Sequence, residues 1–298
     1  MQNRIIFTMR HFFCRLFYKL LFIILYSARW KFKTVQANYY FICNKQGGLL
    51  NLPPLPIFYK QLIKNLTRHF SELLITPQIF KNAPEEFEEY PCVRGGVKLC
   101  VDFNSLPILK EMRKGGIFLT AHYGNYEALG AWVSRLGLPL KSSFAPLKPS
   151  FLNQLLKKRI RAVKYQGKPY EFSVAANSPK DFLNLVDNHF LFCLVADQDA
   201  RGSSAKEETL LGSPVKVNPL PDFIRDHRPQ VPAYLCWIQE AENGKVRTLH
   251  ALKIPEKTHN STVFYAYNRW LEQRIQENPS QWYSWTHRRF YSLHSEIY

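Results

Sequence analysis

The chain has 298 residues, of which 46% are hydrophobic, so it is long enough to bury a substantial core as one large domain or two small ones. This composition excludes disorder as the overall state. The formal net charge is +17, and most of it lies in two stretches without any acidic residue. Residues 1–71 hold eleven Lys and Arg, and residues 128–170 hold nine.

Charge concentrated in this way indicates surfaces that face polyanions: anionic lipid, a phosphorylated glycolipid, an acidic carrier protein or nucleic acid. The six cysteines are scattered and include no C-x-x-C pair. This spacing favours free thiols in a reducing compartment over a disulfide framework or a metal site. We therefore expect neither metal nor disulfide to support the fold.

The amino-terminal segment, residues 1–33, surrounds an uncharged apolar run, residues 20–26, with seven Lys and Arg. The run is shorter than the roughly 20 residues of a typical membrane-spanning helix. Because both flanks are basic, the positive-inside rule does not orient a span. We expect residues 1–33 to form a membrane-anchoring helix that either lies on the bilayer or crosses it, with residues 34–298 as the main domain.

Further along the chain, apolar residues alternate between helical spacing and short buried runs. Helices are expected at Phe58–Leu74, 106–114 and Phe264–Glu277. Strands are expected at Val93–Val101, Ile117–Ala121 and 189–196. This order predicts an α/β fold with a central mostly parallel or mixed sheet flanked by helices. Ligands bind such sheets beyond the carboxyl ends of their strands, where His122 and Asp197 are expected to emerge.

The segment from Gly115 to Gly130 delivers a histidine, His122, into a Gly-Asn turn, with Glu127 five residues later. On a regular helix two positions five apart point about 140° away from each other, so the two side chains are not a helical pair. They can meet if His122 ends a strand and Glu127 lies in the first turn of a helix running toward Arg135. His122 is then a candidate general base, with the structural alternative that it is an ordinary strand-end histidine.

Several common catalytic motifs are missing from the sequence. It has no G-x-S-x-G, no G-x-x-x-x-G-K-[ST], no G-x-G-x-x-G and no H-E-x-x-H, which disfavours serine hydrolases, nucleotide-binding enzymes and zinc proteases. Three other stretches carry polar or charged residues in notable positions. These are the basic residues 155–161, the Asp-Gln-Asp sequence that begins at Asp197, and the Trp- and Arg-rich residues 281–290.

Taken in order, these features resemble the late acyltransferases of lipid A biosynthesis, a branch of the lysophospholipid acyltransferase-like superfamily with a His-x4-Asp/Glu signature. His122 and Glu127 match that signature. The stretch 145–153 with its following arginines is similar to the Arg-Pro…Asn-Pro element of the branch, Asp197-Gln198-Asp199 to its Asp-x-Asp element, and residues 279–290 to its closing signature. The resemblance covers about residues 60–290.

The resemblance implies a glycerol-3-phosphate acyltransferase-like fold over residues 34–298, at the cytoplasmic face of the inner membrane of a Gram-negative-type bacterium. It implies fatty acyl transfer from acyl carrier protein, as co-substrate, to a hydroxyl of a phosphorylated glycolipid, with no other cofactor and no nucleic acid partner. His122 is then the base and Glu127 orients it. The expected substrate-binding residues are Arg159, Arg161, Asp197, Asp199 and Asn125.

Two departures from the family pattern leave the substrate open. Glu207–Gly212 stands where the family has an aromatic patch, and Ala145 stands where it has an arginine. A glycerophospholipid acyltransferase is an alternative, although its Glu-Gly-Thr-Arg-like motif is missing from the sequence. A non-catalytic membrane-associated protein that keeps the fold is a further alternative. Each arginine and aspartate named above also has a structural alternative, as a solvated helix face or a strand-end cap.

Overall fold

A computed structural model describes residues 2–45, 50–73, 75–142, 164–166, 168–169, 178–256 and 262–298. The α-helices of these residues are α1 (Gln2–Ser27), α2 (Phe32–Lys45), α3 (Leu55–Glu72), α4 (Thr76–Lys81), α5 (Leu106–Glu111), α6 (Tyr126–Arg135), α7 (Pro179–Asp187), α8 (Leu220–His227) and α9 (Val263–Glu277). The strands are β1 (Cys92–Arg94), β2 (Val97–Val101), β3 (Gly116–Thr120), β4 (Leu140–Ser142), β5 (Lys164–Tyr165), β6 (Lys168–Pro169), β7 (Leu191–Val195), β8 (Lys206–Leu210), β9 (Ser213–Val217), β10 (Ala233–Ala241) and β11 (Val246–Ile254).

Seven of these strands form one sheet in the order β1-β2-β11-β10-β3-β7-β4. Four neighbouring pairs are parallel, and the hairpins β1-β2 and β10-β11 are antiparallel. The expected α/β architecture with a mostly parallel, mixed sheet is therefore confirmed. All five residues of β3 are buried, as is typical of a strand covered on both faces.

Helices cover both faces of the sheet and give the domain two apolar cores. Ile117 and Leu119 face the core that contains α2, α3 and α9, whereas Phe118 between them faces the core that contains α4, α5 and α6. This alternation follows from the two-residue period of a strand. The strand therefore fixes where the residues that follow it leave the sheet.

Most of the expected elements lie where the sequence places them, including the helix that ends at Glu277 and the strand before His122. The prediction of one strand from Val93 to Val101 was wrong. The chain turns there at Gly95 and Gly96, with φ of 58° and 72°, and Arg94 pairs with Val97 across the resulting hairpin. Glycine adopts this left-handed conformation without steric cost.

The two amino-terminal helices pack on the rest of the chain. Phe22, Leu25 and Tyr26 of α1 contact the core that contains α3, and the Tyr59 hydroxyl donates a 2.9 Å hydrogen bond to the carbonyl of Trp30. Among the described residues, no helix combines the length and apolar character needed to cross a membrane. Anchoring by residues 1–33 stays a prediction.

Candidate active site

His122 and Asp197 meet because they follow neighbouring parallel strands. Thr120 at the end of β3 lies opposite Val195 at the end of β7, and the Ala196 amide donates a 2.9 Å hydrogen bond to the Thr120 carbonyl. Both chains then leave the same edge of the sheet. His122 Nδ1 lies 2.7 Å from Asp197 Oδ1, which confirms that both residues emerge at the carboxyl ends of strands.

The Asp197 carboxylate is completely buried. Its second oxygen, Oδ2, accepts hydrogen bonds from Trp282 Nε1 at 2.8 Å and from Ser284 Oγ at 2.6 Å. Burial alone would raise the pKa of this carboxyl, but the His122 ring and the Ser284 hydroxyl hold it well below its usual range. Asp197 therefore stays ionised and can orient the imidazole beside it.

The imidazole of His122 is oriented so that one nitrogen remains available. In the neutral ring, the proton sits on Nδ1 and is donated to Asp197, which leaves the lone pair of Nε2 free to accept a proton. The side chain is 19% exposed, and no described residue hydrogen-bonds to Nε2. Burial lowers the pKa of His122, but Asp197 and Glu127 outweigh it and raise the pKa above its usual value.

The turn between strand and helix has the predicted geometry. β3 ends at Thr120 and α6 begins at Tyr126, so Glu127 lies in the first helical turn, where a carboxylate is favoured by the helix dipole. The structure nevertheless places Asp197, rather than Glu127, on Nδ1 of His122. Glu127 contributes through its charge, which raises the pKa of His122.

The carboxyl-terminal segment holds this turn from outside. The Gly124 amide donates to the carbonyl of Gln281 at 3.0 Å, and the Tyr283 amide donates to the carbonyl of His122 at 2.7 Å. Gly124 has a φ of 57°, a conformation that suits glycine. Since Trp282 and Ser284 also bind Asp197, one short segment fixes both members of the pair. The sequence favours packing and headgroup contact over chemistry for Trp282, and it does not single out Ser284.

Asn125 is buried and forms hydrogen bonds at both ends of its amide. Its Oδ1 accepts from the Ala128 amide at 3.3 Å and caps α6, while its Nδ2 donates to Glu72 Oε2 at 2.9 Å. Glu72 in turn pairs with the buried Arg247, whose Nε lies 3.2 Å from Glu240 Oε1. This geometry gives Asn125 a role in holding the turn, and its predicted contact with substrate stays untested.

Substitutions at both ends of the Asn125–Glu72 hydrogen bond test whether Asn125 holds the turn. Asn125→Asp places a second carboxylate against Glu72, 2.9 Å from its Oε2 in the present contact, so we expect about 2 kcal/mol of lost stability. Adding Glu72→Gln restores a donor and an acceptor and is expected to recover most of the loss. Thermal unfolding of the single and double variants measures both effects. Glu240→Gln, which alters the same ionic cluster without touching Asn125, should give no recovery.

Asp199 contacts the carboxyl-terminal residues. Its Oδ2 accepts from the amide of Ser292 at 3.1 Å and from its hydroxyl at 2.7 Å, and its Oδ1 lies 3.9 Å from the buried Arg289. Asp199 therefore ties the loop after β7 to the chain end. Its predicted substrate contact has no direct support from these bonds.

The predicted substrate-binding residues Arg159 and Arg161 lie outside the described residues, as do the stretch 145–153 and the whole basic segment 155–161. The departure at Glu207–Gly212 is described and forms most of β8 and the turn that leads into β9. Its two leucines, Leu210 and Leu211, are buried. This hairpin is thus part of the core beside α9.

Two further histidines flank His122, and neither competes with it for a proton. The His69 ring is buried and stacks on Tyr126 at 4.8 Å, and Tyr126 meets His122 edge-on at 4.8 Å. Burial and the proximity of His122 lower the pKa of His69 to about 3 and lower that of His287 as well. A proton taken up in this cluster therefore resides on His122.

These contacts define what the site can do chemically. In a Ser-His-Asp triad the serine lies on the nitrogen opposite the aspartate. Here Ser284 hydrogen-bonds to Asp197 itself, and no described hydroxyl or thiol occupies Nε2 of His122. The arrangement is suited to removing a proton from a hydroxyl group that a substrate brings.

Within the described ranges, no three His, Cys, Asp or Glu side chains are arranged to hold a metal ion.

No protein-family model matches the chain, and no curated protein matches it.

Proposed function

We propose that this protein is an O-acyltransferase that moves a fatty acyl chain from acyl carrier protein to a hydroxyl of a lipid A precursor in lipopolysaccharide biosynthesis. One observation carries the proposal. Asp197 holds the His122 ring through Nδ1, and among the described residues no side chain hydrogen-bonds to Nε2. The motif resemblance supports the choice of acyl transfer among the reactions that such a base can perform.

The reaction needs no covalent enzyme intermediate. Nε2 of His122 takes the proton of the acceptor hydroxyl while the oxygen attacks the thioester carbonyl carbon. The resulting tetrahedral oxyanion collapses by breaking the carbon–sulfur bond, and the imidazolium returns the proton to the departing sulfur. The products are an ester and the free thiol of the carrier. Asp197 stabilises the imidazolium between these two steps.

The charge distribution supports the proposed substrates. Acyl carrier proteins are acidic, and the acceptor carries phosphates, so both fit a chain with a net charge of +17. We assign Arg159 and Arg161 to the acceptor phosphate or the oxyanion, because a guanidinium donates two parallel hydrogen bonds to such groups. Since the acceptor is embedded in a membrane, we assign the enzyme to the cytoplasmic face of the inner membrane.

A purified-component assay tests the proposal against its alternatives. The protein is incubated with an acyl-carrier-protein thioester and either a lipid A precursor or lysophosphatidate, and products are identified by mass spectrometry. Acylation of the lipid A precursor supports the proposal. Acylation of lysophosphatidate alone identifies a glycerophospholipid acyltransferase, and failure to consume the thioester with either acceptor indicates a non-catalytic protein. Mass spectrometry of lipid A from cells lacking the protein then identifies the acylated position.

The pH dependence of transfer tests the charge of Glu127. A base acts only when neutral, so kcat/KM should rise as pH increases through the raised pKa of His122. Glu127 contributes to that raised pKa, and Glu127→Gln should therefore move the rising limb to lower pH. Glu207→Gln, an exposed carboxylate on β8 paired with Lys216, should leave the limb in place. An unmoved limb in Glu127→Gln would contradict the assigned role.

A further inference from the structure

Helix α1 exposes large apolar side chains along one line. The described residues include fourteen exposed large hydrophobic side chains, and six of them belong to α1, with exposed fractions from 43% to 61%. At 100° per residue these six positions fall within an arc about 120° wide. We call this surface the α1 stripe; its members are Phe13, Leu16, Phe17, Leu20, Ile23 and Ile24.

The opposite face of α1 is already occupied by the protein. Cys14 is 7% exposed and its thiol donates to the carbonyl of Ser71 on α3 at 3.2 Å. Phe22 stacks on Tyr26 at 5.5 Å, and Tyr26 stacks on Tyr59 of α3 at 5.8 Å. The helix is therefore held in a fixed rotation, and the α1 stripe points away from the domain.

The size and surroundings of the α1 stripe indicate what covers it. Six side chains that are about half exposed present roughly 500 Å² of apolar surface, the size at which patches on monomers are often functional. The helix also carries the exposed cations Arg15 and Lys19, and the chain has no acidic residue before Glu72. An apolar stripe on a helix that also carries cations, in a segment without acidic residues, matches an anionic lipid surface in both respects.

The packing of α1 also decides between lying on a bilayer and crossing it. Crossing would require α1 to leave α3 and expose Phe22, Leu25 and Tyr26, which now pack on the core. The hydrogen bond from the Cys14 thiol to Ser71 would be lost as well. An in-plane helix keeps those contacts and buries only the α1 stripe.

The segment that follows the α1 stripe contacts the candidate active site. Helix α2 begins at Phe32, eight residues after Ile24, and its Asn38 Nδ2 donates a 2.8 Å hydrogen bond to the carbonyl of His287. The His287 ring is in turn 6.0 Å from the His122 ring. A lipid hydroxyl at the bilayer surface beside this end of α1 is therefore brought toward the base.

We propose that α1 lies in the plane of an anionic leaflet with the α1 stripe inserted, so that a membrane-embedded acceptor reaches His122 from the bilayer surface. The binding mode stands on the exposed helix face, and only the delivery of the acceptor rests on the proposed function. Docking and chemistry can accordingly be tested apart.

Vesicle flotation tests the docking. The probes are phosphatidylcholine vesicles with and without about 30% phosphatidylglycerol, at low and high salt. Phe17→Asp/Ile24→Asp is expected to weaken binding to the anionic vesicles at least about tenfold. Val93→Asp/Phe103→Asp changes two side chains that are 62% and 82% exposed elsewhere, and should alter binding less than about twofold. Circular dichroism confirms that both double variants fold.

Several results would overturn the proposal. The α1 stripe does not dock on lipid if the wild-type protein fails to bind anionic vesicles. The same conclusion follows if the Phe17→Asp/Ile24→Asp variant binds them as tightly as wild type. If the wild-type protein is a dimer without vesicles and the variant is a monomer that still binds vesicles, the α1 stripe is an interface with a second copy of the chain. His122→Gln should bind vesicles like wild type, so a failure of docking is distinguished from a failure of the proposed chemistry.

Insertion depth separates the two membrane modes. Phe13 and Ile24 are about 16 Å apart along the helix axis, at 1.5 Å per residue. Spin labels on Phe13→Cys and Ile24→Cys should report the same shallow depth if α1 lies in the plane. Depths that differ by most of that length would instead indicate a spanning helix and contradict the in-plane arrangement.

Discussion

Replacing His122 with glutamine is expected to lower kcat for acyl transfer by roughly 10³-fold. In the proposed reaction the neutral imidazole accepts the hydroxyl proton through Nε2, and an amide at this position has no comparable basicity. KM should change little, because the ring acts on the reacting proton rather than on the bulk of either substrate. Rate measurements with saturating thioester and acceptor separate the two parameters.

A matched histidine elsewhere controls for the loss of an imidazole. His250 lies on β11 and stacks on Trp237 at 4.9 Å, on a part of the sheet that is separate from the His122–Asp197 pair. His250→Gln should keep kcat within about threefold of wild type. If His122→Gln retained comparable activity while folded, the base would have to be another group.

Replacing Asp197 with asparagine is expected to reduce kcat by a similar factor, roughly 10³-fold, although the new side chain has nearly the same shape. The asparagine oxygen can still accept from Trp282 and Ser284, so the amide nitrogen then faces Nδ1 of His122. An amide donor there favours the tautomer with the proton on Nε2, which is unable to act as a base. The imidazolium also loses its counterion.

The pH profile distinguishes this effect from general damage. Asp197 is the strongest of the groups that raise the pKa of His122, ahead of Glu127. The residual activity of Asp197→Asn should therefore reach its plateau at lower pH than wild type, with a larger displacement than in Glu127→Gln. Asp222 is another buried carboxylate, and it accepts a hydrogen bond from the Val263 amide at 2.7 Å. Asp222→Asn therefore controls for the loss of stability that replacing a buried carboxylate causes. A larger loss in Glu127→Gln than in Asp197→Asn would make Glu127 the orienting carboxylate.

The sequence predicts the location of the site well because that location depends on local patterns. The apolar runs before His122 and Asp197 predict strands, and parallel strands bring their carboxyl ends to one edge. The Gly-Asn turn and the following helix are equally local, since Asn125 caps α6 as its residue type favours.

The direct pairing of His122 with Asp197 depends on strand order, which the sequence pattern does not reveal. The two residues are 75 positions apart and meet because β3 and β7 are neighbours in register. Spacing along the chain favours the nearer carboxylate, Glu127, as the orienting group. The hydrogen-bonded carboxylate is the distant one.

The residues that support the pair are also fixed by long-range contacts. Ser284 reaches Asp197 across 87 positions, and Glu72 reaches Asn125 across 53. A serine between two tryptophans, or a glutamate at a helix end, follows no periodic pattern that marks such a contact. The exposed α1 stripe shows the same limit, because the apolar run at residues 20–26 fits a helix but only packing decides which of its faces the domain covers.

The most direct measurement is transfer by the purified protein from a defined acyl-carrier-protein thioester to a lipid A precursor in anionic vesicles, read by mass spectrometry of the acceptor. The proposed function predicts a precursor heavier by one acyl group, formed by wild type and by His250→Gln and lost in His122→Gln and Asp197→Asn. An acceptor left unmodified by wild-type protein, or modified equally by all four proteins, would contradict it.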